Sequence, residues 1–471
     1  MSSLRSAEAP QQGWTRRLVS YAAVLLLANV LADVVIGSPL LILPELMQQL
    51  NTDQPAWLSA GAMLAGAIWS PLLARGADVF GARRTLCATL LLSAVGALIC
   101  LVASHLSVFL AGRFLQGAAF ASVFLTVALT RQICTPQTAM ALIGVLTSGA
   151  SVIGILEPVL MTAVIDRYGY RSVFGVAALL AGMAAVSVRC FVPESPIRAG
   201  GRVDVAGGLL LGGGLGAVLA YVSVGSGPGW LSTASMALLA GGVLMLAGWV
   251  VRSLRVADPI IDIRALRGPL LLTLAALVLA AGAFRSMLQL ISVVAHVPGE
   301  LGLRYGLGDG TAVAVLFGVA NCGIALGGVG AGWVAARRTP AVPLLGGIVV
   351  GTVATFTMLA GISDLRIAVV CGALIGVAAG AVGASGYNLA TGLGPPERQG
   401  VSAGLVSIVL ALGSVVVSFA GGEVLKASRI HGVSADSGPV SSMTGICAYV
   451  ILCGVLFGLA ALPALRLVRS R

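Results

Sequence analysis

The sequence predicts an all-helical polytopic membrane protein with about fourteen membrane-spanning helices. Three observations predict it. Hydrophobic residues make up 58% of the 471 residues and charged residues only 10%, against about 25% charged in a soluble domain. Apolar runs long enough to cross a bilayer, which takes ~20 residues, recur along the chain and leave no soluble domain of useful size. The basic residues alternate between the two sides. With the N-terminus in the cytoplasm, about 20 of the 28 basic residues fall in inner segments and 6 in outer loops, a strong positive-inside bias.

The runs in order are Leu18–Met47, Trp57–Ala74, Thr85–Ala103, Leu106–Ala128, Ala139–Ile165 and Ser172–Val192. Residues Met1–Arg17 are polar and carry no signal-peptide pattern, so the first run is expected to remain as a transmembrane helix. A polar break, P-E-S-P-I-R-A-G-G-R-V-D, follows the sixth run. Val205–Val224 and Leu231–Val251 come next, then the basic break R-S-L-R-V-A-D-P-I-I-D-I-R-A-L-R. The last six are Leu270–Val294, Gly310–Ala335, Val342–Ile362, Leu365–Gly386, Ser402–Val424 and Met443–Leu465. This layout predicts a six-helix bundle over 1–196, an inserted helix pair over 197–256 and a second six-helix bundle over 257–471.

The fifth run carries one charge, Glu157, beside Pro158. A carboxylate inside a membrane helix costs about 2.5–3.5 kcal/mol and usually faces a bundle interior or a water-filled cavity. Pro158 removes one backbone hydrogen bond and predicts a kink, a candidate hinge. Glu157 either takes part in function or only neutralises a nearby arginine. Asp33 and Arg113 lie, like Glu157, in the outer halves of their runs. A buried arginine needs an acidic partner; two carboxylates and one arginine leave one carboxylate able to exchange a proton.

Arg285 lies one turn from Gln289 and suits either an anionic substrate group or an acid near the outer surface, Glu300 or Asp309. Asn29, Gln116, Asn321 and Asn388 are polar candidates for a substrate cavity, with interhelical hydrogen bonding the plainer use. His105 and His296 fall near outer run ends, which favours surface roles. Gly372, Gly376, Gly380, Gly383 and Gly386 recur along one helix face and predict close helix contact, as do Gly327, Gly328, Gly330 and Gly332.

The loop L-L-A-R-G-A-D-V-F-G-A-R-R-T-L places Asp78, Gly81, Arg83 and Arg84 in a tight inner turn. Gly81 permits the turn, and Asp78 can pair with an arginine or cap a neighbouring helix. This loop resembles the inner-loop signature G-x-L-A-D-R-x-G-R-R of the major facilitator superfamily. Asp78, Gly81 and Arg83 match; Ala74, Gly76 and Val79 depart from it. In that family the loop latches one conformation, a role the resemblance carries to Asp78 and Arg83.

Three further stretches resemble the 14-helix drug:proton antiporter branch. L-A-D-V-V-I-G-S-P-L-L-I-L-P matches its first-span signature at Asp33 and Pro44. G-R-F-L-Q-G-A-A-F-A matches R-x-x-Q-G-x at Arg113, Gln116 and Gly117, and the family links this arginine to proton handling. G-I-L-E-P-V-L-M-T resembles the signature ending G-P-x-x-G-G at Pro158, but Glu157, Met161 and Thr162 replace its glycines. The segment R-V-D-V-A-G-G-L-L-L-G-G-G-L-G-A resembles the start of that branch's extra helix pair.

The resemblance implies the major facilitator fold. It also implies proton-coupled export of a small amphipathic drug or secondary metabolite, with Asp33, Arg113 and Glu157 coupling the proton. An uptake symporter of the same fold is the alternative, favoured by the missing glycines. Expected partners are the small-molecule substrate, protons and the lipid bilayer; a monomer in the cell membrane with both termini cytoplasmic is the family expectation. Nucleic acid is not expected, because the positive charge sits in topogenic loops. No cofactor or metal is expected: the eight cysteines form no C-x-x-C pair with histidines nearby. No nucleophile–histidine pair or phosphate loop suggests an enzyme.

Overall fold

The computed structural model describes residues 14–50, 55–195, 197–224, 229–265, 268–295, 305–307, 310–435 and 438–469. Among them, thirteen helices are long and apolar enough to cross a membrane. A further 26-residue helix, α3 (Pro55–Phe80), covers the second predicted run; several side chains in its first two turns are outside the described residues.

The first run breaks into α1 (Arg16–Leu41) and the short α2 (Leu43–Gln49). Pro44 follows the break; proline donates no N–H and disfavours helix in the residue before it. After α3 comes α4 (Ala82–Val102). The fourth run is α5 (Leu106–Gln116), a 3-10 turn over Gly117–Phe120, and α6 (Ala121–Ile133). The fifth is α7 (Pro136–Ser148) and α8 (Ala150–Tyr168). Its interruption falls at Gly149, while position 158 lies within the helical span of α8. The side chains of Pro44 and Pro158 are outside the described residues.

α9 (Ser172–Phe191) closes the sixth run, and α10 (Val205–Val224) and α11 (Thr233–Arg255) follow. The last six are α12 (Pro269–Ala295), α13 (Gly310–Arg337), α14 (Ala341–Gly361), α15 (Leu365–Leu393), α16 (Gln399–Ala427) and α17 (Met443–Arg469). The expected all-helical chain departs in one connector. β1 (Arg429–Ala435) and β2 (Gly438–Ser441) pair antiparallel between α16 and α17. Pairing there satisfies backbone groups that no helix holds.

The chain divides into two compact units. The first takes Met1–Leu146, Glu157–Ala265 and Thr391–Leu405; the second takes Thr147–Leu156, Leu266–Ala390 and Val406–Arg471. In the first, α4 packs along α9, α1 along α9, and α10 against both α11 and α3. Gly212 of α10 rests on the Ile68 backbone of α3 and Gly208 on Leu72, so α10 is seated directly on α3. In the second, α17 packs along α12 and α14. Gly376 and Gly380 of α15 lie on the Ala320 and Ile324 carbonyls of α13, while Gly383 faces open space. The predicted glycine face is therefore a contact surface over only part of its length.

A buried hydroxyl cluster sits inside the second unit. Ser286 Oγ donates to Tyr449 Oη at 2.9 Å, and Tyr449 Oη to the Ser286 carbonyl at 3.0 Å. A tyrosine in an apolar helix needs such a partner when buried.

Candidate functional site

Helix α1 organises the outer-half cluster. Arg113, on α5, is fully buried. Its Nη1 donates to the Val35 carbonyl of α1 at 2.9 Å and to Gln116 Oε1 at 3.1 Å. Glu157, on α8, is half-buried. Its Oε1 accepts from Ser38 Oγ of α1 at 2.6 Å. Val35 and Ser38 are one helical turn apart, so α1 brings Arg113 and Glu157 to adjoining levels. Asp33 lies on the same helix, two residues before Val35, and is half-buried. Ser38 was not singled out from the sequence; a lone serine in an apolar run carries no signal until a carboxylate is known to face it.

The other candidates divide by environment. Asn29 Nδ2 donates to the Leu146 carbonyl at 2.9 Å, and its Oδ1 accepts from Thr126 Oγ1 at 3.1 Å. Asn29 thus ties α1 to α6 and α7, the plainer use for a membrane asparagine. Gln116 is buried beside Arg113 and Asn388 is buried on α15. Asn321 is half-buried on α13, and Arg285 and Gln289 are exposed on α12. His105 is exposed just before α5. His296, Glu300 and Asp309 lie outside the described residues.

At the inner end, Asp78 caps a helix that begins 321 residues later. The first backbone N–H groups of a helix have no intrahelical partner. Asp78 Oδ1 accepts from Gly400 N–H at 2.6 Å and Oδ2 from Val401 N–H at 3.1 Å. These are the second and third residues of α16, the amides that a capping side chain ordinarily satisfies. The carboxylate also opposes the positive end of the helix dipole. Of the two options open to Asp78, capping is the one adopted.

The arginines of the loop turn the other way. Gly81 makes the turn with φ of 101°, a left-handed value that favours glycine. Arg83 Nη1 donates to the Val192 carbonyl at 3.0 Å, and its Nη2 lies 3.4 Å from Glu194 Oε2. Arg84 Nε lies 3.2 Å from the same oxygen. Glu194, in the break after α9, escaped the sequence reading; an acid beside prolines in a later inner segment was the available signal. The Asp78 carbonyl accepts from Ala199 N–H at 2.7 Å, so this break folds back over the loop.

The departure at Ala74 has a structural counterpart. A Cβ on Gly404 of α16 would lie 2.7 Å from the Ala74 Cβ, and one on Gly400 would lie 2.8 Å from Asp78 Oδ1. The glycine missing from α3 is met by glycines on the helix that faces it. Gly404→Ala is therefore expected to destabilise by about 1–3 kcal/mol through overpacking. Adding Ala74→Gly should restore most of the loss, a non-additive pair. Thermal unfolding of the purified single and double variants checks this.

Long apolar helices with ionisable side chains buried among them define a polytopic membrane protein. The Major Facilitator Superfamily family model matches residues 25–418, and the chain belongs to that superfamily; it is a transporter and not an enzyme. Among curated relatives, a uridine/deoxyuridine transporter of Lactococcus lactis is 28% identical over 77% of this chain and 78% of its own. The multidrug resistance protein Stp of Mycobacterium tuberculosis is 27% identical over 48% of this chain and 43% of its own, so that alignment spans less than half of Stp. Among solved structures, the human organic anion transporter superposes with a TM-score of 0.63 at 18% identity, over 96% of this chain and 100% of that one. The E. coli fucose:proton symporter gives 0.59 at 14%, over 95% and 99%. These two likenesses establish the fold.

Proposed function

We propose that the protein is a proton-coupled antiporter that exports a small amphipathic drug or secondary metabolite by alternating access. The observation that carries this is the Glu157 carboxylate inside α8. It is held by Ser38, one turn of α1 from the carbonyl that holds Arg113. A charged Glu157 accepts from Ser38; a protonated one can donate in its turn, and the balance of contacts on α1 changes. Asp33, on the same helix, is the second carboxylate of the relay. The multidrug resistance names among the relatives support export.

In this reading Asp78, Gly81, Arg83 and Arg84 form the inner gate, and the fifth run is the hinge element that includes Pro158. Gln116, Arg285, Gln289, Asn321 and Asn388 remain the substrate contacts, while Asn29 serves helix packing. The chain works as two six-helix bundles with the inserted pair between them in sequence. It acts as a monomer in the cell membrane, with both termini cytoplasmic, a placement the arginine distribution supports.

The second reading is a proton-coupled uptake symporter. It is favoured by the uridine/deoxyuridine transporter, whose alignment covers most of both chains, and by the glycines missing around Pro158. Purified protein in proteoliposomes with an internal pH dye separates the two. Lipophilic cations, organic anions and uridine are added in turn under an imposed pH gradient. Substrate movement opposite to the protons establishes antiport, and accumulation with the protons establishes symport. Transport indifferent to the gradient would overturn both.

A further inference from the structure

The turn between α15 and α16 is held at both ends by groups of opposite charge. α15 ends at Leu393, and a 3-10 turn over Pro396–Arg398 leads into α16 at Gln399. The last carbonyls of one helix and the first N–H groups of the next lack intrahelical partners. They carry about half a negative and half a positive charge respectively, so this short turn presents a negative pole and then a positive one. Asp78 of α3 takes the positive pole through Gly400 and Val401. Arg131, in the last turn of α6, lies beside the other and reaches a side chain in that turn. Its Nε donates to Thr391 Oγ1 at 2.9 Å, within the last turn of α15. Its Nη2 would lie 3.8 Å from a Cβ on Gly392. The next residue, Gln132, is hydrogen-bonded to Ser195 in the break after α9, which fixes the end of α6 from the other side.

We propose that Arg131 is a second positioning residue of the inner gate. It grips the C-terminal turn of α15 while Asp78 grips the N-terminal turn of α16, so residues 391–405 leave the inner ends of α3 and α6 only when both contacts break. Sign decides the arrangement: a cation suits the carbonyl end and an anion the amide end, and exchanging them would make both contacts repulsive. Asp78 belongs to the inner-loop signature; Arg131 lies outside it, so the device has a half that the signature does not describe. The proposal rests on the gating role given above to Asp78.

Hydrogen–deuterium exchange on the purified full chain, without substrate, tests it. Arg131→Gln should speed exchange of the 391–405 backbone about tenfold, the scale of one charge-assisted hydrogen bond. Asp78→Asn should act on the same residues. Arg131→Lys should stay near wild type, because it keeps the positive charge at the carbonyl end. Thr391→Val, which removes the acceptor, is the second route should Arg131→Gln fold poorly, and a several-fold rise there supports the proposal. α4 and α9 should be unchanged in every variant. Unchanged 391–405 exchange in Arg131→Gln or Thr391→Val, acceleration spread over the whole chain, or Arg131→Lys as fast as Arg131→Gln would each overturn it. Because no cargo is present, wild-type protein that moves no proton in proteoliposomes would sink the antiport reading and leave this result standing.

Discussion

Glu157→Gln is expected to abolish substrate-linked proton movement in proteoliposomes, by a hundredfold or more, while leaving the protein folded. The amide is nearly isosteric with the carboxylate, and its oxygen still accepts a hydrogen bond. Ser38 therefore keeps its partner at the place where it now donates at 2.6 Å. What is lost is the ability to bind and release a proton. Membrane carboxylates of this kind commonly sit on proton paths. The check is dye-reported pH change on substrate addition, with thermal unfolding as the control for folding. Asp33→Asn belongs beside it. Coupled proton movement that survives both substitutions would remove Asp33 and Glu157 from the mechanism and return Glu157 to a structural role.

Gly380→Val is expected to cut the yield of folded protein several-fold, while Gly383→Val three residues later leaves it near wild type. A Cβ on Gly380 would land on the Ile324 carbonyl of α13 and 2.7 Å from Gly328 N. Backbone atoms cannot step aside as a side chain can, so α15 and α13 would have to separate. Overpacking of this kind costs about 1–3 kcal/mol and often more, and membrane helices rely on such close contact because lipid supplies no hydrophobic drive between them. A Cβ on Gly383 meets nothing within 4 Å. Size-exclusion yield and thermal midpoint, read side by side, decide the matter; equal behaviour of the two variants would contradict this packing of α13 on α15.

The glycine face shows where sequence reading stops. Five glycines at helical spacing implied a contact surface, and Gly376, Gly380 and Gly386 do meet neighbours closely. Gly383 shares the spacing and not the contact, because a neighbouring helix crosses only part of the face. The fifth run makes the same point. Pro158 marked a candidate kink by its own chemistry; the helix runs through that position and is interrupted at Gly149, a residue that relaxes helical backbone and that the sequence marks only as a packing position.

The sequence by itself determined a polytopic helical membrane protein, the long apolar runs that become its helices, the positive-inside bias of its arginines, and which ionisable residues fall within those runs. Each of these is a local property: transfer of twenty side chains into hydrocarbon, or the position of a charge beside a span, depends on neighbours in the chain alone. The tertiary structure decided the partners. Asp78 caps α16 rather than pairing an arginine, Arg83 and Arg84 meet Glu194, Arg131 meets Thr391, and Ser38 meets Glu157. These residues lie from 110 to 323 positions apart. A polar group buried among helices must find a partner, but its own sequence neighbourhood states only the need. Which distant helix end or side chain meets it is fixed by the packing of the whole bundle.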